Sequence, residues 1–165
     1  ISNHLLLMGD TFFVEKMSFK GLQKRSNKTE KNKKGRFKKK KRFGRTLSNR
    51  APSMLLSCLE RKLKYNGLKL NRVNTTKVRA SQYNHFDDTY TKKSLSKRWN
   101  DFGGILIQRD LYSSFLLMNM VHDKDLDKID RDLCFKTFDV FLKLHDELIS
   151  KLRKEPHTLK SMGIR

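Results

Sequence analysis

Two acids close short hydrophobic runs. Glu15 follows Thr11-Phe12-Phe13-Val14, and Asp110 follows Ile105-Leu106-Ile107 after two intervening residues and opens an apolar-periodic segment. In an α/β sheet the carboxyl ends of the strands converge on one crevice, where ligands bind. Two carboxylates brought together there suit Mg²⁺, a hard cation that takes oxygen ligands and bridges to phosphate. Mn²⁺ would fit the same donors. The associated reaction is phosphodiester hydrolysis, with metals ~3.5–4 Å apart activating water and stabilising the leaving oxygen. Each acid also has a plainer reading. Glu15 can be an exposed strand-end acid beside Lys16 or Lys20. Asp110 can be a helix cap or first-turn acid favoured by the helix dipole.

The second chemical feature is charge. The chain has 165 residues, 38 Lys plus Arg against 17 Asp plus Glu, and a net charge of +21. Residues 1–100 hold 27 basic and 6 acidic residues, whereas residues 101–165 hold 11 of each, so the excess lies entirely in the first part. Between Lys20 and Arg50 there are 15 basic residues and the single acid Glu30. The densest run, KKGRFKKKKR at 33–42, supplies Lys33, Lys34, Arg36, Lys38, Lys39, Lys40, Lys41 and Arg42, and Arg45 and Arg50 follow. Such side chains near phosphates release counterions, so binding weakens steeply with salt. Phe37 and Phe43, interleaved with them, could stack on the bases of a single strand. The alternatives are a solvated tail, an import-like basic run, or an anionic membrane surface. No amphipathic period accompanies the charge to favour the last.

Other features carry less. Asp123, Asp125 and Asp127 resemble the start of a calcium loop, but Lys128 stands where glycine is needed and Cys134 where glutamate is needed. His85 has no partner at metal-ligand spacing and reads as a loop histidine. Cys58, in a leucine-rich helix, reads as a small core residue. Cys58 and Cys134 are the only cysteines, which gives neither a disulfide framework nor a zinc half-site and implies a reducing, cytoplasmic setting. No apolar run approaches the ~20 residues of a membrane span. Leu5 to Met8 is too short for a signal-peptide core.

The elements that must position these residues can be read coarsely. Ile1 to Gly9 reads as the end of a helix, and Thr11 to Val14 as a short strand buried on both faces. Lys16 to Asn49 shows no persistent period and reads as a long loop or unstable helix. Ser48 or Asn49 caps a helix through Leu55, Leu56, Leu59 and Leu63 that stops at Asn66-Gly67. Leu68 to Asn74 alternates like a half-buried strand. Thr75 to Gly104 is irregular and polar. Ile105 to Ile107 reads as a second buried strand, leading to a helix through Leu111, Phe115 and Met118. Leu133 to Leu152 is the strongest helix, with Phe138, Leu142, His145, Ile149 and Leu152 on one stripe. Alternating strands and helices predict an α/β domain.

The residues also resemble a family. Phe13-Val14-Glu15-Lys16-Met17-Ser18-Phe19-Lys20-Gly21-Leu22 looks like a segment of the TnpB proteins, the OrfB-type transposase-associated proteins of insertion sequences. Arg45 to Gly67 is similar to the helix that follows in them. Ser81-Gln82 matches the pair preceding their zinc ribbon, and Ile107-Gln108-Arg109-Asp110-Leu111-Tyr112-Ser113-Ser114-Phe115 resembles their closing Arg-Asp motif. The match runs in order over about residues 1–121.

The resemblance implies a partial RNase H-like, RuvC-like nuclease domain over 1–121. It would carry a basic nucleic-acid-binding insert at 20–50 and a remnant of the zinc-ribbon region at 75–104. Residues 122–165 would form a helical C-terminal tail. It implies an RNA-guided DNA endonuclease of the transposase family, with DNA and a guide-type RNA as partners. The protein would read heteroduplex shape while base pairing reads sequence. Of the family's catalytic acids, Glu15 matches the second and Asp110 the third. No residue matches the first, and the Ile start is expected to follow a missing strand that carries it, leaving the chain inactive alone. The family's zinc cysteines have no counterpart between Ser81 and Asp110, so zinc is not expected. Tyr112, Ser113 and Ser114 replace the usual Asn and two Ala. A non-enzymatic basic RNA- or DNA-binding protein is the alternative. The nuclease reading requires the strands at 12–14 and 105–107 in one sheet, with both carboxylates facing one cleft.

Overall fold

A computed structural model of the chain describes residues 1–24, 29–37, 44–94, 96–122, 126–155 and 162–164. Helices and small sheets alternate in it, so the chain is mixed α/β, as the sequence pattern predicts. It divides into two compact units. One comprises Ile1–Phe12 and Lys16–Leu70, and the other Phe13–Glu15 and Asn71–Arg165.

The first unit holds α1 (Ser2–Met8), the first residue of β1 (Phe12–Glu15), α2 (Phe19–Gln23), α3 (Gly44–Arg50) and α4 (Pro52–Tyr65). Pro52 opens α4, where its fixed φ suits the first turn. Leu59 and Leu63, four apart, are the residues it buries. Asn66-Gly67 ends it as the sequence predicts. Gly67 takes φ 71°, the amide of Leu68 returns to Leu63 and that of Gly67 to Lys64. That is a paired C-terminal closure that only glycine enters without strain. Lys62 on α4 ties α1 down by donating to Ser2 Oγ at 2.9 Å and to Asn3 Oδ1.

The second unit has the larger core. β2 (Leu70–Val73) pairs with β1, and α5 (Thr75–Val78) follows, capped by the Asn74 side chain. Two hairpins come next: β3 (Tyr83–Asn84) with β4 (Thr89–Tyr90), then β5 (Trp99–Phe102) with β6 (Ile105–Gln108). Gly103-Gly104 makes the second turn with φ 66° and 96°, the positive values a two-residue hairpin turn demands. The Asp101 carboxylate accepts from the amide of Gly104 at 2.8 Å. Helices α6 (Arg109–Met118) and α7 (Arg131–Lys154) complete the unit. The core joins Val73, Val78, Tyr83, Ile107, Tyr112, Phe115, Leu116, Cys134 and Phe138, with Phe13 packed against it.

Several expectations need correction. Thr75–Gly104 is not irregular, since it carries a helix and three strands. The strands ending near the two acids do not share a sheet: β1 pairs with β2, and β6 with β5. Neither strand is buried on both faces. β1 is half-buried throughout, and in β6 Leu106 is 59% exposed while Ile107 is fully buried. On α6 the buried residues are Tyr112, Phe115 and Leu116, and Met118 points to solvent. Helix α7 buries Phe138, His145 and Ile149 of the predicted stripe, with Leu142 and Leu152 at its half-buried margin. Among the described residues, no helix is long and apolar enough to cross a membrane. Both cysteines are free.

Candidate metal and nucleic-acid site

Asp110 stands in the first turn of α6, directly after β6, with half of its side chain exposed. The cap of α6 is not Asp110 but Gln108. Its Oε1 accepts from the amides of Asp110 at 2.7 Å and Leu111 at 2.8 Å. Its Nε2 donates to Asp110 Oδ2 at 3.3 Å and to the carbonyl of Met162 at 3.2 Å. The Arg109 guanidinium reaches Asp110 Oδ1 at 3.3 Å. The carboxylate is therefore held from both sides and keeps an exposed edge.

Behind Gln108 lies His145 on α7, which is buried. Its Nε2 accepts from the Gln108 amide at 3.0 Å, and its Nδ1 meets Asp146 Oδ1 at 2.8 Å. The partner is the Gln108 backbone N–H, which can only donate, so Nε2 is the acceptor and the ring proton sits on Nδ1, facing the carboxylate. This Asp–His pair is structural, because the nitrogen a general base needs is already occupied.

Glu15 closes β1 and is half-buried. Two residues earlier, Phe13 meets the ring of His122 edge-on at 5.3 Å. Glu15 and Asp110 lie in the same compact unit, at the carboxyl ends of strands in two different sheets. Among the described residues, no cluster of three or more His, Cys, Asp or Glu has the geometry to hold a metal.

In the other unit, part of the basic segment is ordered into a tight turn. Lys31 and Phe37 bridge, and the side chain of Asn32 accepts from the amides of Lys34 and Arg36, both at 3.0 Å. Gly35, at φ 75°, lets the chain reverse. Lys33, Lys34 and Arg36 are presented to solvent at the turn. Phe37 is 70% exposed, with the Lys31 ammonium 5.1 Å from its ring centre. An exposed ring among cations is the arrangement that stacking on a single strand requires. Arg50 ends α3 and is exposed. Lys38, Lys39, Lys40, Lys41, Arg42 and Phe43 lie outside the described residues, as does the side chain of Arg45.

The segment that follows α5 is held by an aromatic nest. His85, in the turn between β3 and β4, is not an ordinary loop histidine but is fully buried. It packs against Phe86, Tyr112, Phe115, Phe135 and Phe138, with ring centres 4.1–5.8 Å away. Tyr112 Oη lies 2.7 Å from Nδ1 and accepts from the His85 amide at 3.2 Å. Arg131 clamps the same turn, donating at 2.7 Å to the carbonyls of His85 and of Phe86. Burial, reinforced by the Arg131 charge, pulls the imidazole down to about 4, so it is neutral at pH 7. Burial pushes the Cys134 thiol up to about 12, which removes it as a nucleophile. Comparison with known protein families, with curated proteins and with solved structures finds no match to this chain.

Proposed function

We propose that the chain is part of a TnpB-like, RNA-guided DNA endonuclease of the RuvC-like type, performing metal-dependent phosphodiester hydrolysis. The observation that carries the reading is the order of the resembling motifs along the sequence, with Glu15 and Asp110 both in the second compact unit. Against it, the strands that precede the two acids pair in different sheets rather than in the one sheet the reading requires. Two carboxylates are the donors a Mg²⁺ or Mn²⁺ ion takes, and an ion bound there would activate water and stabilise the leaving oxygen. The protein's own part is to hold the donors. Gln108 and Arg109 fix the Asp110 carboxylate, and Gln108 is fixed in turn by α7 through His145. The Lys31–Phe37 turn supplies cations for backbone phosphate and a ring for a base.

On this reading Glu15 and Asp110 supply two of the family's catalytic acids, and no residue of this chain matches the first. Cleavage of DNA by the chain, joined to a segment that supplies the third acid, with Glu15→Gln and Asp110→Asn as variants, tests it. Both variants should bind nucleic acid normally and cut at least about a hundredfold more slowly. Unchanged cutting in either removes that residue from the mechanism. A non-enzymatic basic RNA- or DNA-binding protein is the second reading. It is favoured by the separate sheets of β1 and β6 and by the first-turn role of Asp110.

A further inference from the structure

A cleft of about 390 Å³ opens between the β5–β6 hairpin and the C-terminal half of α7. It is lined by Trp99, Leu106, His145, Asp146, Ile149 and Arg153. Its size falls in the range of small-ligand pockets, roughly 300–1,000 Å³. It combines three chemistries. Trp99, Leu106 and Ile149 are an apolar wall. Arg153 brings a guanidinium to 6.0 Å from the indole centre, in the cationic last turn of α7 with Lys151 and Lys154. Asp146 brings a carboxylate that is 67% exposed.

The wall is preorganised. The indole N–H of Trp99 already donates to the carbonyl of Gly163 at 3.0 Å, so the ring is fixed, and the Arg153 guanidinium lies over its face. The Asp146 carboxylate is oriented by His145 Nδ1–H on Oδ1, which leaves Oδ2 and one lone pair of Oδ1 to accept further bonds. Leu106, 59% exposed at the cleft, is an apolar surface that a planar ligand would cover.

We propose that this cleft binds a guanine nucleotide, free or as one residue of a single strand. The base displaces Arg153 from the Trp99 face and stacks there, as bases do on aromatic side chains, which frees the guanidinium for the phosphate. Guanine alone among the common bases presents two adjacent donors, N1–H and the exocyclic amino group, and these match the two carboxylate oxygens of Asp146. Adenine and cytosine offer one amino group, and uracil offers none. Arg153 takes the phosphate. The site goes beyond the nuclease reading and stands whether or not Asp110 binds a metal. A chain of hydrogen bonds joins the two: Asp146 to His145, His145 to Gln108, Gln108 to Asp110.

Trp99 is the only tryptophan of the chain, so its fluorescence reports on this cleft alone. The intact chain is titrated with GMP, AMP, CMP, UMP and ribose 5-phosphate, each up to about 10 mM. Saturable quenching is expected in the order GMP, then AMP and CMP, then UMP, with none from the sugar phosphate. Asp146→Asn keeps an oxygen for His145 but loses the charge. It should weaken GMP by about tenfold and abolish the preference over UMP. Arg153→Ala should weaken GMP several-fold and leave guanosine unchanged. A thymine oligonucleotide with one central guanine separates the sources. Asp146-dependent binding of it assigns the site to a strand, and binding of GMP alone assigns it to the free nucleotide. Absence of saturable quenching by any nucleotide overturns the proposal. So does an equal response to ribose 5-phosphate, or a GMP affinity unchanged in Asp146→Asn.

Discussion

His85 shows how much one side chain can carry when it is buried among rings. It fixes the β3–β4 turn to α6 through Tyr112, while Arg131 fixes the same turn to α7. Its folded pKa of about 4 lies below the ordinary 6.5, so as pH falls the unfolded chain takes the proton first. The native state should therefore be fully stable above about pH 6.5 and should lose about 3 kcal/mol by about pH 4. Denaturant unfolding across that range checks this. In His85→Leu the loss over the window should shrink by that amount, at the cost of lower stability at pH 7. An undiminished slope in the variant would place the acid sensitivity elsewhere. The sequence named His85 but not its burial, because its partners Tyr112, Phe135 and Phe138 lie far along the chain. Gln108 was hidden for another reason. Ser, Thr, Asp and Asn are the favoured caps, so Asp110 reads as the capping residue and the glutamine two positions earlier does not.

At the level of elements, α4 and α7 were legible in their apolar periodicity and α4 in its stop, but the start of α4 was not: Ser48 and Asn49 lie inside α3, and Ala51 caps α4 without a side-chain bond. The two hairpins were not legible. β3 and β4 are two residues each, too short for any alternation to register. The Gly103-Gly104 pair is a hairpin signal, but Trp99 to Phe102 before it alternates with polar residues that turn out to pack, such as the buried Asn100. The C-terminal turn was equally invisible. Met162 and Gly163 give their carbonyls to Gln108 and Trp99, and Ile164 is buried. Gly163 sits at φ 71°, and a Cβ there would lie 2.7 Å from Arg98 Cβ. Gly163→Ala should therefore cost about 1–3 kcal/mol and release the Trp99 indole, shifting its emission. Thermal unfolding and the fluorescence of Trp99 read both effects together. Unchanged stability and emission would mean that the turn is not an anchor.

Across the whole molecule the charge divides as the structure does. The densest basic stretch belongs to one unit, and the two candidate carboxylates belong to the other. The sequence showed both features, but not that β1 and β6 fall in different sheets, because pairing partners far apart in sequence leave no local mark. The central claim is that Glu15 and Asp110 share a metal nonetheless. Mn²⁺ titration followed by electron paramagnetic resonance, on the chain and on Glu15→Gln and Asp110→Asn, tests it most directly. The account predicts a bound Mn²⁺ population in the native chain that either substitution removes. Mn²⁺ binding that survives both substitutions, or none at about millimolar metal, would contradict it.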